Sequence, residues 1–509
     1  MELIKSKESY LEILDKGIER KTVSSDVIVP DSKPDVLKII QVDARSVITD
    51  KGITSGGIYY EGRVYLNILY IPETGDEEVC SIKTYIDFKN RIDRDDYDKE
   101  VKIRMCSDVT RVEFSVLNSR KLSVRANVLV CYEIIGEKEI EYPVAIDSEN
   151  VNFLFDEFTM KTIGADEECE FELNESFEIP QGKEEICEIL KTDIKICDKE
   201  LKVMTGKVIC KANLSVCVLY LTKDRKTDFC EYEFPFTEVF DVYDMLEEDE
   251  CRLDLELLDA QTDVSYDNDQ SFRIINIKAN ICAKCRALRK LEVKYISDCY
   301  CSGVKTEVKE HSIKLNKFID CIKAQNSVKE TIVIDSKMPQ IGRIYNVLAQ
   351  EEITKVQSQN LSVITEGKIK IYLLYITQEA KGSVYSIKKE IPFSHTYSCQ
   401  NAGTNMDCSV LSEIENISYN INSAGEVEIR CTLSEDITIY KKDIINIISE
   451  LNTSDCDADN DICIYFVKSG DTLWNIAKKY AVSVNDLKDI NKLETDIIIE
   501  GQKLIIPCF

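Results

Sequence analysis

Hydrophobic and polar residues alternate with a period of two along most of this chain, the pattern of strands that bury one face. Three such stretches resemble one another: residues 61–70 (EGRVYLNILY), 211–220 (KANLSVCVLY) and 366–375 (EGKIKIYLLY). Their closing tyrosines, Tyr70, Tyr220 and Tyr375, lie 150 and then 155 residues apart. A second signature precedes each stretch. Pro30-Asp31-Ser32-Lys33-Pro34 leads into Val36, Ile39 and Ile40; Pro180-Gln181-Gly182-Lys183 leads into Ile186, Ile189 and Leu190; Asp335-Ser336-Lys337-Met338-Pro339 leads into Ile341, Ile344 and Tyr345. Apolar residues at i, i+3 and i+4 predict a short helix, with Asp31 or Ser32 as its cap and Pro34 in its first turn. A third signature closes each unit with another alternating strand: residues 122–128 (LSVRANV), 275–281 (INIKANI) and, more loosely, 427–431 (VEIRC).

Three signatures in the same order, three times, define an internal repeat. Its period is the size of a whole domain rather than of a solenoid unit. The units predicted are 22–156, 160–316 and 318–450, so the chain is expected to be mainly β. Each unit is expected to be antiparallel and sandwich-like, with a short helix. Ahead of them, the segment 1–21 reads as an amphipathic helix, carried by residues 5–20. Behind them, residues 451–461 (LNTSDCDADND) are polar and acidic and read as a linker.

After the linker the pattern changes. Residues 465–467 form a short strand, and residues 468–472 a turn in which Asp471 or Thr472 caps a helix. Leu473, Ile476, Ala477 and Tyr480 follow at helical spacing. Val484, Leu487 and Ile490 mark a second helix, which Asn491 can end in the left-handed conformation. Residues 501–507 (GQKLIIP) give a turn and a closing strand. The sum is a small α+β unit, strand–helix–helix–strand, over 462–509. Trp474 is the single tryptophan, and its helical spacing favours core packing over stacking on a sugar. Of Ile497, Ile498 and Ile499, one or two are expected in the core and the rest in an exposed patch suited to a protein partner.

The run Tyr465-x-Val467-x-x-Gly470-Asp471-Thr472-Leu473-Trp474-x-Ile476-Ala477, then Asn491-x-Leu493, then Gly501-Gln502-x-Leu504-x-Ile506-Pro507, resembles the LysM family almost position by position. LysM modules commonly bind polymers containing N-acetylglucosamine, such as peptidoglycan or chitin. They do so in a groove between the first strand–helix loop and the second helix–strand loop. Carried over, the resemblance implies a groove of Gly470, Asp471, Thr472, Leu473 and Trp474 on one side. The other side would be Asp496, Ile497, Ile498, Ile499 and Glu500.

The repeats resemble the SPOCS domain of spore coat assembly proteins, through the Pro-Asp-Ser-Lys-Pro segment and the Glu-Gly strands at Glu61 and Glu366. The second copy departs from that pattern, with Lys211-Ala212 for Glu-Gly and Glu184 for Pro34. Together with one C-terminal LysM, the architecture is similar to the spore coat morphogenetic proteins of anaerobic spore formers. That resemblance implies a non-enzymatic scaffold in the mother-cell cytoplasm, on the forespore surface. Its LysM would contact the self-assembling ATPase of the coat's basement layer, and the chain would also meet other coat proteins. The alternative is a peptidoglycan-binding protein directed at the cell wall or spore cortex.

Composition narrows the chemistry. A formal net charge of −28 argues against nucleic acid, whose phosphates need clustered Lys and Arg. No run of 18 apolar residues occurs, so no transmembrane helix is expected. The first 20 residues carry charge throughout and lack the apolar stretch of a secretory signal, which favours a cytoplasmic protein. The 21 cysteines follow no framework spacing and suit a reducing compartment. Cys282, Cys285, Cys299 and Cys301 could in principle offer four thiolates to zinc. However, residues three apart on a strand face opposite ways, so no metal is expected. With two histidines, no phosphate-binding loop and no distinctive acid–base pair, no cofactor or catalytic residue is assigned and no enzymatic activity is expected. The acidic runs at 93–98 and 247–250 lack the spacing of a calcium loop and read as solvated.

Overall fold

The computed structural model describes residues 2–507 apart from 55, 76, 94–100, 149, 336–337, 378–383, 423–424 and 456–462. Most of the 93–98 acidic run, Ser336, Lys337 and residues 456–461 of the expected linker therefore lie outside the described residues.

Each repeat is built from six antiparallel strands. The first has β1 (Glu2–Ile28), β2 (Val36–Thr54), β3 (Gly57–Pro72), β4 (Cys80–Asp93), β5 (Lys102–Asn118) and β6 (Lys121–Asp147). The second has β7 (Val151–Glu178), β8 (Ile186–Met204), β9 (Lys207–Thr222), β10 (Thr227–Asp241), β11 (Glu250–Tyr266) and β12 (Phe272–Cys301). The third has β13 (Val304–Ile332), β14 (Ile341–Gln359), β15 (Ser362–Thr377), β16 (Val384–Ser398), β17 (Asp407–Ile421) and β18 (Val427–Asp455). In every repeat, strands two to four make a small sheet, and the fifth, sixth and first make a second sheet. The two sheets enclose one apolar core. In the first repeat it joins Ile58, Val64 and Ile68 to Val124, Val128 and Val23. This is the sandwich-like packing expected.

The expected short helices are strands. The apolar residues after each Pro turn sit at i, i+3 and i+4 because two β-bulges interrupt the strand there. In β2 they fall between Val36 and Lys38 and between Ile39 and Gln41. In β8 they fall between Ile186 and Glu188 and between Ile189 and Lys191. In β14 they fall between Ile341 and Arg343 and between Ile344 and Asn346. Each bulge adds a residue on one strand, which turns a period of two into a spacing that imitates a helix.

The N-terminal segment is also strand rather than helix. β1 pairs along its whole length with β6, from Glu2 opposite Asp147 to Ile28 opposite Lys121, and it puts Val23 and Val27 into the core. The boundaries inferred from the repeat also need revision. β7 runs unbroken through 156–160 and β13 through 316–318, while β18 extends to Asp455 and takes up the first five residues of the expected linker. The acidic run at 247–250 is only half solvated. Asp249 is buried against Arg289, with Nη2 to Oδ2 at 2.8 Å, and Glu250 receives Lys161 at 2.5 Å.

Two of the signatures meet in space. The hydroxyl of Tyr70 donates to the Pro34 carbonyl at 2.9 Å, and that of Tyr375 to the Pro339 carbonyl at 3.1 Å. In the second repeat Glu184 stands in place of the proline, and Tyr220 turns to Asp228 Oδ2 at 3.3 Å. The Glu-Gly signature marks a close approach. A Cβ on Gly367 would lie 2.6 Å from the Glu352 carbonyl oxygen and 2.6 Å from the Phe393 ring.

The three repeats close on one another. Leu69 and Val79, Leu190 and Leu219, and Tyr345 and Leu374, two residues from each repeat, share a single buried cluster. Beside it lies a buried polar network. Gln41, Lys191 and Asn346 take the same position in their repeats, opposite Leu69, Leu219 and Leu374. Lys191 bridges Asp43 at 2.7 Å and Asp193 at 3.1 Å, and Asn346 donates to Asp193 at 3.1 Å. Burial works against the Lys191 charge, but Asp193 and Asp43 more than offset it and raise its proton affinity. The third and first repeats meet where Ser386 donates to the Ile40 carbonyl at 2.8 Å.

The six longest strands pair as ribbons: β1 with β6, β7 with β12, and β13 with β18. They share a second core, in which Tyr142, Phe158, Tyr295 and Ile447 meet. Between ribbons the ladder contacts are single pairs, Leu11 with Ile163 and Lys317 with Met160. Side-chain packing therefore holds the ribbons together. Their free ends coincide, because Glu2–Asp147, Val151–Cys301 and Val304–Asp455 are the terminal pairs.

Candidate functional site

Beyond the ribbons come β19 (Cys463–Phe466), α1 (Leu473–Lys479), α2 (Val484–Asn491) and β20 (Lys503–Ile506), the expected strand–helix–helix–strand unit. Thr472 is the cap of α1, its hydroxyl accepting from Asn475 N at 3.1 Å. Asp471 closes the preceding turn instead. Its Oδ2 accepts from Lys468 N at 2.7 Å and from the Tyr465 hydroxyl at 2.8 Å, and these bonds hold its carboxyl below the usual range. Gly470 sits in that turn at φ 84°, a region open to glycine and strained for most other residues. Ser483 caps α2. The left-handed residue that ends α2 is Lys492, one place after the Asn491 expected. The amide of Asn491 instead joins α2 to the Ile505 backbone on β20.

The two loops of the expected groove come together beside Val467. Gly501 N donates to the Val467 carbonyl at 2.8 Å, and Val467 N to the Gln502 carbonyl at 2.9 Å. This sets the 496–500 loop next to the 468–472 turn. On the turn side, Gly470, Asp471 and Thr472 are at the surface, whereas Leu473 is packed in the module's core. On the other side, Ile497 and Ile499 are 77% and 72% exposed, and Ile498 packs inward. Asp496 pairs with Lys488 of α2 at 2.6 Å, and Glu500 is exposed.

Trp474 faces elsewhere. Its indole N–H donates to Asp298 Oδ2 at 2.7 Å, and its ring meets Tyr300 edge-on with centroids 4.9 Å apart. Lys478 pairs with the other oxygen of Asp298. Tyr300 is buried within the module's own core, and its hydroxyl donates to the Val482 carbonyl at 2.9 Å. Gly303 N donates to the Ala481 carbonyl at 2.8 Å. The tip of the β12–β13 hairpin is thus part of the module. Sequence reasoning missed Asp298 and Tyr300, because nothing local to β12 marks them as belonging to a unit that begins far along the chain.

Cys282, Cys285, Cys299 and Cys301 are all buried on β12. Cys285 faces Cys251 with sulfurs 3.6 Å apart. Among the described residues no group of three or more His, Cys, Asp or Glu is placed to hold a metal, and no helix is long and apolar enough to cross a membrane.

The family described as SipL, SPOCS domain matches residues 35–117, 185–265 and 340–422, and the LysM domain matches residues 465–507. The chain is a SipL-like protein, with three SPOCS domains and one LysM domain. Each SPOCS match runs from the Pro turn through the small sheet to the fifth strand of its repeat. The long ribbon strands lie outside it. Both domain types are non-catalytic binding domains.

The LysM domain has relatives among bacterial wall proteins. The chain is 52% identical over 40 residues to the probable peptidoglycan endopeptidase LytE of Bacillus subtilis (strain 168), covering 8% of this chain and 12% of that one. It is 58% identical over 40 residues to the probable endopeptidase p60 of Listeria grayi, 8% of each chain. It is 55% identical over 40 residues to the cell wall-binding protein YocH of Bacillus subtilis (strain 168), 8% of this chain and 14% of that one. The chain thus spans only about a tenth of the curated wall proteins it matches, through their binding module. No solved structure matches it.

Proposed function

We propose that this protein is a non-enzymatic scaffold of spore envelope assembly, linking coat layers at the forespore surface through protein–protein contacts. It would do so in the mother-cell cytoplasm. The SPOCS family and the closed arrangement of three such domains around one core support this reading. Such a body offers three related but unequal surfaces and a LysM held in a set orientation. The LysM would bind the ATPase of the coat's basement layer through the loop that carries Ile497 and Ile499. The observation that carries this is the exposure of those two side chains, since large isoleucines in water favour a protein surface that covers them.

A second reading is that the same groove binds peptidoglycan. The LysM family and the likeness to wall proteins favour it. In that case Gly470, Asp471 and Thr472 on one side and Asp496 and Glu500 on the other would receive N-acetylglucosamine units.

Titrating the full chain against purified basement-layer ATPase and against soluble peptidoglycan fragments separates the two. The scaffold reading expects ATPase binding that falls at least tenfold in Ile497→Glu/Ile499→Glu, with weak glycan binding. Tight glycan binding without ATPase binding would replace it with the second reading. Normal coat attachment in sporulating cells lacking the protein would remove the scaffold role altogether.

A further inference from the structure

One strand pair differs chemically among the three repeats. On β5 and β6, Cys106 stands directly opposite Cys131. The matching pair on β11 and β12 is Asp254 opposite Lys284, and on β17 and β18 it is Leu411 opposite Asp436. The correspondence follows from the third signature, which aligns Leu122, Ile275 and Val427. Only the first repeat places two thiols there. Neighbouring residues Met105 and Tyr132 point into the core, so the two cysteines share the opposite face, where Cys106 is exposed and Cys131 half-buried.

The geometry suits a covalent bond. Directly opposed residues of an antiparallel pair have Cα atoms about 4.5–5.5 Å apart, inside the range of about 4.4–6.8 Å that a disulfide spans. The two opposed thiols also act on each other electrostatically, which lowers the proton affinity of Cys131 while raising that of Cys106. The strand pair also lies at the seam with the second repeat. Lys284 Nζ donates to the Met105 carbonyl at 2.7 Å while paired with Glu256 at 2.6 Å.

We propose that Cys106 and Cys131 form an oxidisable dithiol, a modification site whose co-reactant is a low-molecular-weight disulfide. The Cys131 thiolate attacks one sulfur of that disulfide, forming a mixed disulfide and expelling one small thiolate. Cys106 then gives up its proton and attacks the Cys131 sulfur, forming the Cys106–Cys131 bond and expelling the second thiolate. The two protons from the protein thiols end on the two small thiols, and two electrons pass from the protein to the disulfide. The product fastens the edge strand β5 to β6 at the seam between two repeats. A reductant restores the open pair.

The test treats the folded full chain with oxidised glutathione, blocks remaining thiols with N-ethylmaleimide, and maps tryptic peptides by mass spectrometry. Cys106 and Cys131 lie in different peptides, 105–111 and 126–138. The expected result is a linked pair of these peptides, lighter than their sum by two hydrogens and released by dithiothreitol. Exposed Cys187 and Cys321, with no cysteine across the strand, should carry glutathione instead. In Cys106→Ser, Cys131 should retain glutathione. If wild-type Cys106 and Cys131 are recovered only as separate alkylated or glutathionylated residues while the chain stays folded, the proposal is wrong.

Discussion

The indole N–H of Trp474 reaches Asp298, 176 residues earlier in the chain, at 2.7 Å. The LysM domain's single tryptophan therefore joins Tyr300 and Gly303 in seating it on the repeats, and the same aspartate holds Lys478. This contact fixes which way the groove loops face. Removing the carboxylate should loosen the seat. A hydrogen bond to a charged partner is worth about 1.5–3 kcal/mol, so Asp298→Ala should undock the module in a measurable fraction of molecules. Because Trp474 is the only tryptophan, its fluorescence reports this directly. A red-shifted emission is expected, and an unchanged spectrum would mean that the seat does not depend on Asp298.

Lys191, buried between two carboxylates, should be a sensitive charge. Its removal in Lys191→Met leaves the half-buried Asp43 and Asp193 without their cation, a loss expected to fall short of the roughly 3–5 kcal/mol that breaking a fully buried pair costs. Urea denaturation should show that loss. Adding Asp43→Asn and Asp193→Asn to the same variant should recover most of it. A single substitution with little effect would show that water reaches the network.

Gly367 and Ala212 occupy the same signature position, and exchanging each for the other's residue should destabilise the chain by different amounts and for different reasons. Gly367→Ala forces a Cβ to within 2.6 Å of the Glu352 carbonyl and is expected to cost about 1–3 kcal/mol, as overpacking does. Ala212→Gly relieves no clash and should cost about 0.5–1 kcal/mol through chain freedom, besides the small loss of one methyl from the core. Thermal unfolding of the two variants, measured side by side, checks the order.

Much of this fold was legible and some was not, for reasons that lie in particular residues. The strands at 61–70, 211–220 and 366–375 were readable because one face is core and the other is not. The residues after Pro34 were misread because paired bulges at Val36/Lys38 and Ile39/Gln41 break the alternation. Residues 5–20 read as a helix because most of that stretch is half-buried or exposed and its partner on β6 lies more than a hundred residues away. Strands of 27 to 30 residues also lie far beyond the usual 3–10, so boundaries were placed where none exist. In the LysM domain the turn and the choice of Asp471 or Thr472 as cap follow from local spacing, while which of Ile497, Ile498 and Ile499 turns inward does not. The roles of Asp298 and Tyr300 depend on tertiary proximity and could not.

Acid should weaken the contact between the second and third repeats. Asp228 meets Lys183 at 3.0 Å and Arg343 of the third repeat at 2.9 Å. Burial raises its carboxyl, yet Lys183, the Phe229 amide and Arg343 outweigh this and hold it below its ordinary value. A carboxylate lowered on folding contributes stability that is present above the unfolded pKa, about 3.9 for aspartate. That contribution is lost as pH falls through the folded value. The stability gap between wild type and Asp228→Asn should therefore be full at neutral pH and shrink below about pH 4. Denaturation curves across that range measure it, and a gap independent of pH would place the stabilisation outside this ion pair.

A trimer of identical subunits would change three faces with every mutation. Here the three-fold arrangement is written along one polypeptide, and Gln41, Lys191 and Asn346 at one shared position show that its copies have already diverged. Each face can drift, gain a partner or lose one without disturbing the other two. The chain also joins its LysM covalently to all three faces, so the two domain types arrive together without an assembly step.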